Sequence, residues 1–225
     1  MRFGIIAEGF ADSNVIKAII KKLLGLDGSR IRVLRPEESF DETDLRAMNF
    51  SNWELVLESC KDDNLLGAFF EGFDDDAVLV VQIDTAERGL EGYDVNDPVR
   101  TGNVDYAAYS RILRDNVKKK LEALVAPAYR HRVVYAIAVE ETDAWLIPLF
   151  ENKAGDTASH THAKETLAQW IGRDRKTAKE YTDTRRNSLD YAKLGKALAK
   201  NLAKCRKRNN SLDLFCLEIE QILLK

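Results

Sequence analysis

Cysteine is scarce and unpatterned in this sequence. Its three cysteines, Cys60, Cys205 and Cys216, are an odd count with no C-x-x-C spacing, which excludes a disulfide framework and a thiolate zinc site as organising features. Histidine is equally sparse: His160 and His162 stand together and His131 alone, too few for the usual four-ligand zinc site, so a surface role is expected. Long apolar runs are missing. Stretches such as Ala77–Val81 fall far short of the roughly 18 residues that cross a bilayer. The start Met1-Arg-Phe-Gly-Ile lacks the layout of a signal peptide, so neither export nor membrane insertion is expected and a reducing cytoplasm is the expected compartment. The sequence contains no G-x-x-x-x-G-K-[ST] loop, no G-x-G-x-x-G after a strand, no G-x-S-x-G and no H-E-x-x-H. ATP hydrolysis by a phosphate loop, dinucleotide binding, serine-hydrolase and zincin chemistry therefore find no support.

What is present fits a folded protein of ordinary composition, with 225 residues, 45% of them apolar, enough for one large domain or one core with an appendage. The net charge is only −3, from 34 Lys+Arg against 37 Asp+Glu, but it is unevenly spread. Residues 164–208 hold 14 Lys+Arg and 5 Asp+Glu, which leaves the remainder at −12. A basic segment beside an acidic body suits either a polyanionic partner or a solubilising helix surface.

Periodicity organises the chain as alternating strands and helices. Phe3–Ala7 reads as a strand, and Val15, Ile16, Ile19, Ile20, Leu23 and Leu24 recur at helical spacing behind it. Ile31–Leu34 reads as a second short strand, Arg35–Phe50 as an acidic loop and Trp53–Phe70 as helical. Ala77–Ile83 is a β-branched apolar run that suits a strand buried on both faces. A polar stretch from Asp84 to Gly102 is long for a connector. A helix over about Asp105–Leu124 and a strand over Arg132–Val139 follow, and the strand runs into an acidic helix start. This order predicts an α/β fold, a mostly parallel sheet with helices on both faces. The core spans residues 1–150. Residues 151–225 are expected to form a helical extension packed on it, with Leu189–Arg206 and Leu212–Leu224 as its clearest helices.

Three of these strands end in acids: Glu8, Asp84 and Glu140. In an open parallel sheet, ligands bind at the carboxyl ends of the strands, so acids distant in sequence converge there. Two carboxylates about 4 Å apart repel by about 4 kcal/mol at an effective dielectric near 20, and a cluster must protonate, spread or hold a cation. Hard oxygen ligands favour Mg²⁺ or Mn²⁺ over zinc, and such an ion suits phosphate chemistry. Structural roles compete. Asp12 is also placed to cap the first helix, Glu140, Glu141 and Asp143 to complement a helix dipole, and Glu87 to be a loop charge.

Glu8-Gly9-Phe10-Ala11-Asp12 after an apolar strand resembles the E-G-x-x-E/D start of TOPRIM domains, shared by primases, topoisomerases and OLD-family nucleases. Val80-Val-Gln-Ile-Asp84 is similar to their second motif. Ile137-Ala-Val-Glu140-Glu-Thr-Asp143-Ala-Trp145 resembles the third acidic motif of small bacterial TOPRIM-like families related to OLD nucleases and RloB. The resemblance implies a Mg²⁺-dependent (or Mn²⁺-dependent) nuclease. In it Glu8 is general acid/base or ligand, and Asp12, Asp84, Glu140 and Asp143 are ligands. The second motif departs from the family, because its usual D-x-D is Asp84-Thr85-Ala86 here. Glu87, one residue later, is the candidate substitute. The same families carry a lysine near a tyrosine and a serine-containing last helix, which Tyr191-Ala-Lys193 and Asn210-Ser211-Leu212 resemble. This implies a role for Lys193 in the acidic cluster or on a phosphate.

Lys196, Lys200, Lys204 and Lys207 recur as a helical stripe that suits either a phosphate backbone or a solvated face. The resemblance further implies nucleic acid as partner, an ATPase as companion protein, a setting in bacterial defence against phage or mobile elements, and an oligomer as an open option. The competing expectation is a catalytically inactive, nucleic-acid-binding or regulatory subunit of an ATPase-containing complex. A phosphotransfer-receiver-like domain ranks last, since no lysine ends Val133–Val139.

Overall fold

The computed structural model describes residues 1–37, 52–72, 76–98, 104–183 and 188–222. Most of the acidic stretch expected as a loop over Arg35–Phe50, and Asp74 and Asp75, lie outside the described residues. In chain order the elements are β1 (Arg2–Ile6), α1 (Phe10–Leu24), β2 (Ile31–Arg35), α2 (Trp53–Lys61), α3 (Asp63–Glu71), β3 (Ala77–Asp84), α4 (Tyr106–Leu124), β4 (Val133–Ala138) and α5 (Asp143–Leu146). The C-terminal third adds α6 (Ala163–Gly172), α7 (Arg175–Tyr181), β5 (Thr182–Asp183), β6 (Ser188–Leu189), α8 (Tyr191–Lys200), α9 (Leu202–Arg206) and α10 (Asn210–Ile222).

β1 to β4 form one parallel sheet in the order β2-β1-β3-β4, with helices on both faces. The apolar runs are continuous because both faces are buried, and alternate residues serve opposite cores. Phe3, Ile5, Val78, Val80, Val134, Ala136 and Ala138 face one core, with Val15, Ile16, Ile19 and Ile20 of α1. Ile6, Leu79, Val81, Ile83, Tyr135 and Ile137 face the other, with α2, α3 and α4. Gly4 admits Phe69 so closely that a Cβ there would lie 2.8 Å from its ring. α1 closes on Gly25, whose φ of +63° is the left-handed C-cap that glycine takes without strain.

The C-terminal helices join the α1-side core through Leu194, Leu198, Leu212, Phe215 and Ile219. α10 also covers the open edge of β4. The backbone N–H of Tyr135 donates to Glu218 (3.3 Å), and Arg114 and Lys118 hold that carboxylate at 2.7 Å each. Edge donors that would otherwise invite another strand are thereby covered. Ser211 accepts the buried indole N–H of Trp145 at 2.8 Å, so this serine ties the last helix to the core. All three cysteines are free and buried. Among the described residues no helix is long and apolar enough to cross a membrane.

Several expected boundaries shift. Trp53–Phe70 is two helices, because the Asp62 side chain accepts from the N–H groups of Asn64 and Leu65 and starts a new helix. The expected helix over Leu189–Arg206 is also two, broken at Asn201, and Leu189 belongs to a short antiparallel ladder with Thr182. The acidic helix start at Glu140 yields only the four-residue α5 and a following 3-10 turn at Ile147–Leu149.

Candidate functional site

The strand order reverses between β1 and β3: the chain first steps from β1 to β2, then returns past β1 to place β3 on its other side. Such a switch point opens a crevice at the carboxyl ends of the two strands. Glu8 leaves β1 there, and Asp84 ends β3 beside it. A cross-strand lock joins them. The N–H of Glu8 donates to Gln82 Oε1 (2.9 Å), and the N–H of Asp84 donates to Glu8 Oε1 (2.6 Å). Gln82, fully buried inside an otherwise apolar strand, also donates through Nε2 to Asp84 Oδ1 (2.8 Å) and Thr142 Oγ1 (3.0 Å). Thr142 donates to the same Asp84 Oδ1 from its N–H (3.1 Å) and hydroxyl (2.9 Å). Asp84 is thus oriented by donors from two strand ends, all on one oxygen. Tyr93 donates to the Asp84 carbonyl at 2.7 Å and fixes the loop after β3.

Asp12 and Asp143 complete the group. The N-cap of α1 is Gly9, with no side-chain cap bond, so Asp12 does not take the capping role; it sits in the first turn of α1. Asp143 opens α5 and accepts from the Tyr191 hydroxyl at 2.7 Å. Burial raises all four carboxyls, and neighbouring charges add to it. Burial, with the charges of Asp12 and Glu87 and against the hydrogen bond from Asp84, pushes Glu8 up to about 8. Burial and the Asp143 charge push Asp12 up to about 7. Burial pushes Asp143 up to about 6, against the hydrogen bond from Tyr191. Asp84 is raised well above its ordinary value by burial and by the charges of Asp12 and Glu8. Desolvated like charges are driven toward protonation in this way, and a compensating cation is the other resolution.

The donor set suits a hard divalent ion. Among the described residues, no three carboxylate, histidine or cysteine side chains already form a metal cage. Mg²⁺ does not require one, since it is commonly held by one or two carboxylates with water and substrate phosphates completing the shell. Asp84 and Asp12 are candidates for that role, since the Asp12 charge is among the causes that raise Asp84.

Other candidates lie elsewhere. Glu140 is buried with φ +62°, and its carboxylate accepts from Arg88 (3.2 Å), whose guanidinium also pairs with Asp97 and donates to the Thr85 carbonyl. Its carboxylate is thereby held by Arg88, whereas the Asp143 charge acts on Asp12 and Asp84. Glu87 is exposed and reaches Glu8 only through its field. Lys193 is half exposed and pairs with Asp190 at 3.1 Å, while its neighbour Tyr191 enters the cluster instead. The lysine stripe divides. Lys196 and Lys200 line a groove against α1, Lys204 donates to Asn152 (3.2 Å), and Lys207 sits by Arg206 and Asp213. Sequence reading overlooked Gln82, Thr142 and Tyr191 as orienting groups. The signal for Gln82 was a polar side chain in a strand with no solvent face, which must find a buried partner. The chain matches no family model, no curated protein and no solved structure.

Proposed function

We propose that the chain is a Mg²⁺- or Mn²⁺-dependent phosphodiesterase acting on nucleic acid, with the crevice at the β1/β3 switch point as its centre. The observation that supports this reading is the gathering of Glu8, Asp12, Asp84 and Asp143, each with its proton affinity raised. A bound divalent ion would supply charge neutralisation at a phosphoryl oxygen. Asp84 and Asp12 would hold it. Glu8, raised to about 8, is poised to accept a proton from an attacking water or hydroxyl and return it near neutral pH. Gln82 and Thr142 keep Asp84 in one orientation, and Tyr191 does the same for Asp143. The TOPRIM resemblance, the defence setting and an ATPase companion belong to the same proposal.

The test is cleavage of end-labelled DNA and RNA with Mg²⁺ or Mn²⁺ by the native protein, Glu8→Ala and Asp84→Ala. The reading expects cleavage that falls by at least a hundredfold in both variants, the scale of losing a general acid/base. Equal cleavage by all three rejects it. A second reading, a non-catalytic nucleic-acid-binding subunit, is favoured by one feature. Where D-x-D motifs carry a second aspartate the chain has Ala86, and the nearby Glu140 is committed to Arg88. Ion binding without turnover would select it.

A further inference from the structure

α1 and α8 lie side by side with their N-termini at the crevice: Asp12 is in the first turn of α1, and Tyr191, the first residue of α8, bonds Asp143. Their contact is tight because residue 195 is glycine. A Cβ there would lie 3.0 Å from the Asn14 carbonyl oxygen and 3.2 Å from the Ala18 Cβ. The outer side of this helix pair forms a groove of about 500 Å³ with Lys17, Lys21 and Lys22 on one wall and Lys196 and Lys200 on the other. Its floor is small, Ala18 and Ala199 among it, and no carboxylate is in its lining. Asp27 feels the charge of Lys21, but among the described residues none of the five ammoniums has a carboxylate in ion-pair range.

Five lysines with no ion-pair partner among the described residues, on a chain of net charge −3, concentrate positive potential on one face. Lys17 and Lys21, and Lys196 and Lys200, stand one helical turn apart, so each wall carries cations at steps of roughly 6 Å. Along α1 the groove runs from Asn14, two residues beyond Asp12, to Lys22, about 12 Å at 1.5 Å per residue. We infer that the α1/α8 groove is a docking track for the phosphodiester backbone of a nucleic-acid strand, leading to the acid crevice. The inference rests on the proposed nuclease reading for what lies at the end of the track, and it adds the binding surface. It places Lys17, Lys21 and Lys22 of α1 in the contact and leaves Lys193, Lys204 and Lys207 out. A strand bound in the groove brings its next phosphates to a site whose acids would otherwise repel them.

The test is fluorescence anisotropy with a labelled 30-nucleotide single strand, in EDTA so that nothing is cut, across 50–300 mM salt. Each lysine that neutralises a phosphate contributes about 0.7 to the slope of log affinity against log salt. The variant Lys17→Gln/Lys21→Gln/Lys196→Gln/Lys200→Gln is expected to lose at least tenfold in affinity at 100 mM salt, with the slope smaller by about 3. The control Lys61→Gln/Lys119→Gln removes charge from α2 and α4, on the other face of the sheet, and is expected to bind within twofold of the native chain. Unchanged binding by the quadruple variant overturns the inference. So does native protein that sediments with phosphatidylserine vesicles but does not bind the strand, which would make the groove a membrane surface. Cleavage measured in parallel separates the two proposals. Groove-dependent binding with no cleavage by native protein refutes the nuclease reading alone, and cleavage with groove-independent binding refutes the track alone.

Discussion

Raising the pH of the metal-free protein from 5 to 8 is expected to lower its stability, and added Mg²⁺ to restore it. Glu8, Asp12 and Asp143 take protons up to about 8, 7 and 6 in the folded chain, whereas unfolded carboxyls ionise near 4 to 4.5. Between those limits the folded state binds more protons than the unfolded state, so stability falls as pH rises. Below about pH 4.5 both states are protonated at these groups and the effect is absent. The carboxyls held low, Glu218 and Asp190 among them, have the opposite sign but act only below their ordinary values, outside the window. One pKa unit is worth about 1.4 kcal/mol. The acids titrate as a group, and Glu8, Asp12 and Asp84 are only partly buried and so screened by water, which brings the working loss from pH 5 to 8 to the order of 3 kcal/mol.

In a chain of this length that corresponds to about 6–12 °C in melting temperature. Thermal melts at half-unit pH steps, in EDTA and in millimolar MgCl₂, measure it. An ion that binds only the ionised, folded crevice adds about 2.7 kcal/mol at a hundred times its Kd, and more at pH 8 than at pH 5. Glu8→Gln and Asp84→Asn preserve the acceptor oxygens used by the cross-strand lock while removing a charge. Both are expected to melt higher than the native chain at pH 8 in EDTA, with a shallower pH slope. A metal-free melting temperature that is flat or rising over this range, or variants that keep the native slope, would refute the reasoning.

Three further outcomes follow from packing. Arg88→Ala leaves Glu140 buried without its guanidinium and is expected to cost about 3–5 kcal/mol in urea unfolding, with Glu140→Gln in the same chain recovering part of the loss. Gly195→Val drives a branched side chain into the Asn14 carbonyl and Ala18; the expected loss is about 1–3 kcal/mol, and a midpoint equal to the native one would show that α1 and α8 can separate freely. Ser211→Ala leaves the Trp145 indole N–H, paired at 2.8 Å, without its acceptor; urea unfolding should register about 1–3 kcal/mol, and no change would mean that the indole finds another partner.

The sheet was legible because two-sided burial writes β1, β3 and β4 as apolar runs, and the run over Ala77–Ile83 needs no context to be read. Strand-end acids were legible for a related reason. A parallel sheet brings its carboxyl ends together, so Glu8 and Asp84 had to neighbour each other once β1 and β3 were adjacent. Helix breaks at Asp62 and Asn201 were hidden, since apolar spacing continues across a single capping residue and only the local backbone shows the interruption. Glu140 reads in sequence like Asp143, three residues on. The difference is made by Arg88, which comes from the loop after β3 and takes the carboxylate for itself.

The lysines show the same limit more sharply. A period of four along Lys196, Lys200 and Lys204 is visible in one dimension, and it suggests a single rail. In the fold the rail is cut at Asn201 and its first half is matched by Lys17, Lys21 and Lys22, about 180 residues away in the chain. What pairs the two walls is Gly195 against Asn14 and Ala18, a contact of small groups that leaves no periodic or charged signature. Acids gathered by strand topology can be anticipated from the order of elements. Cations gathered by the close approach of two helices depend on a missing Cβ, and only the packed structure reveals which charges that approach unites.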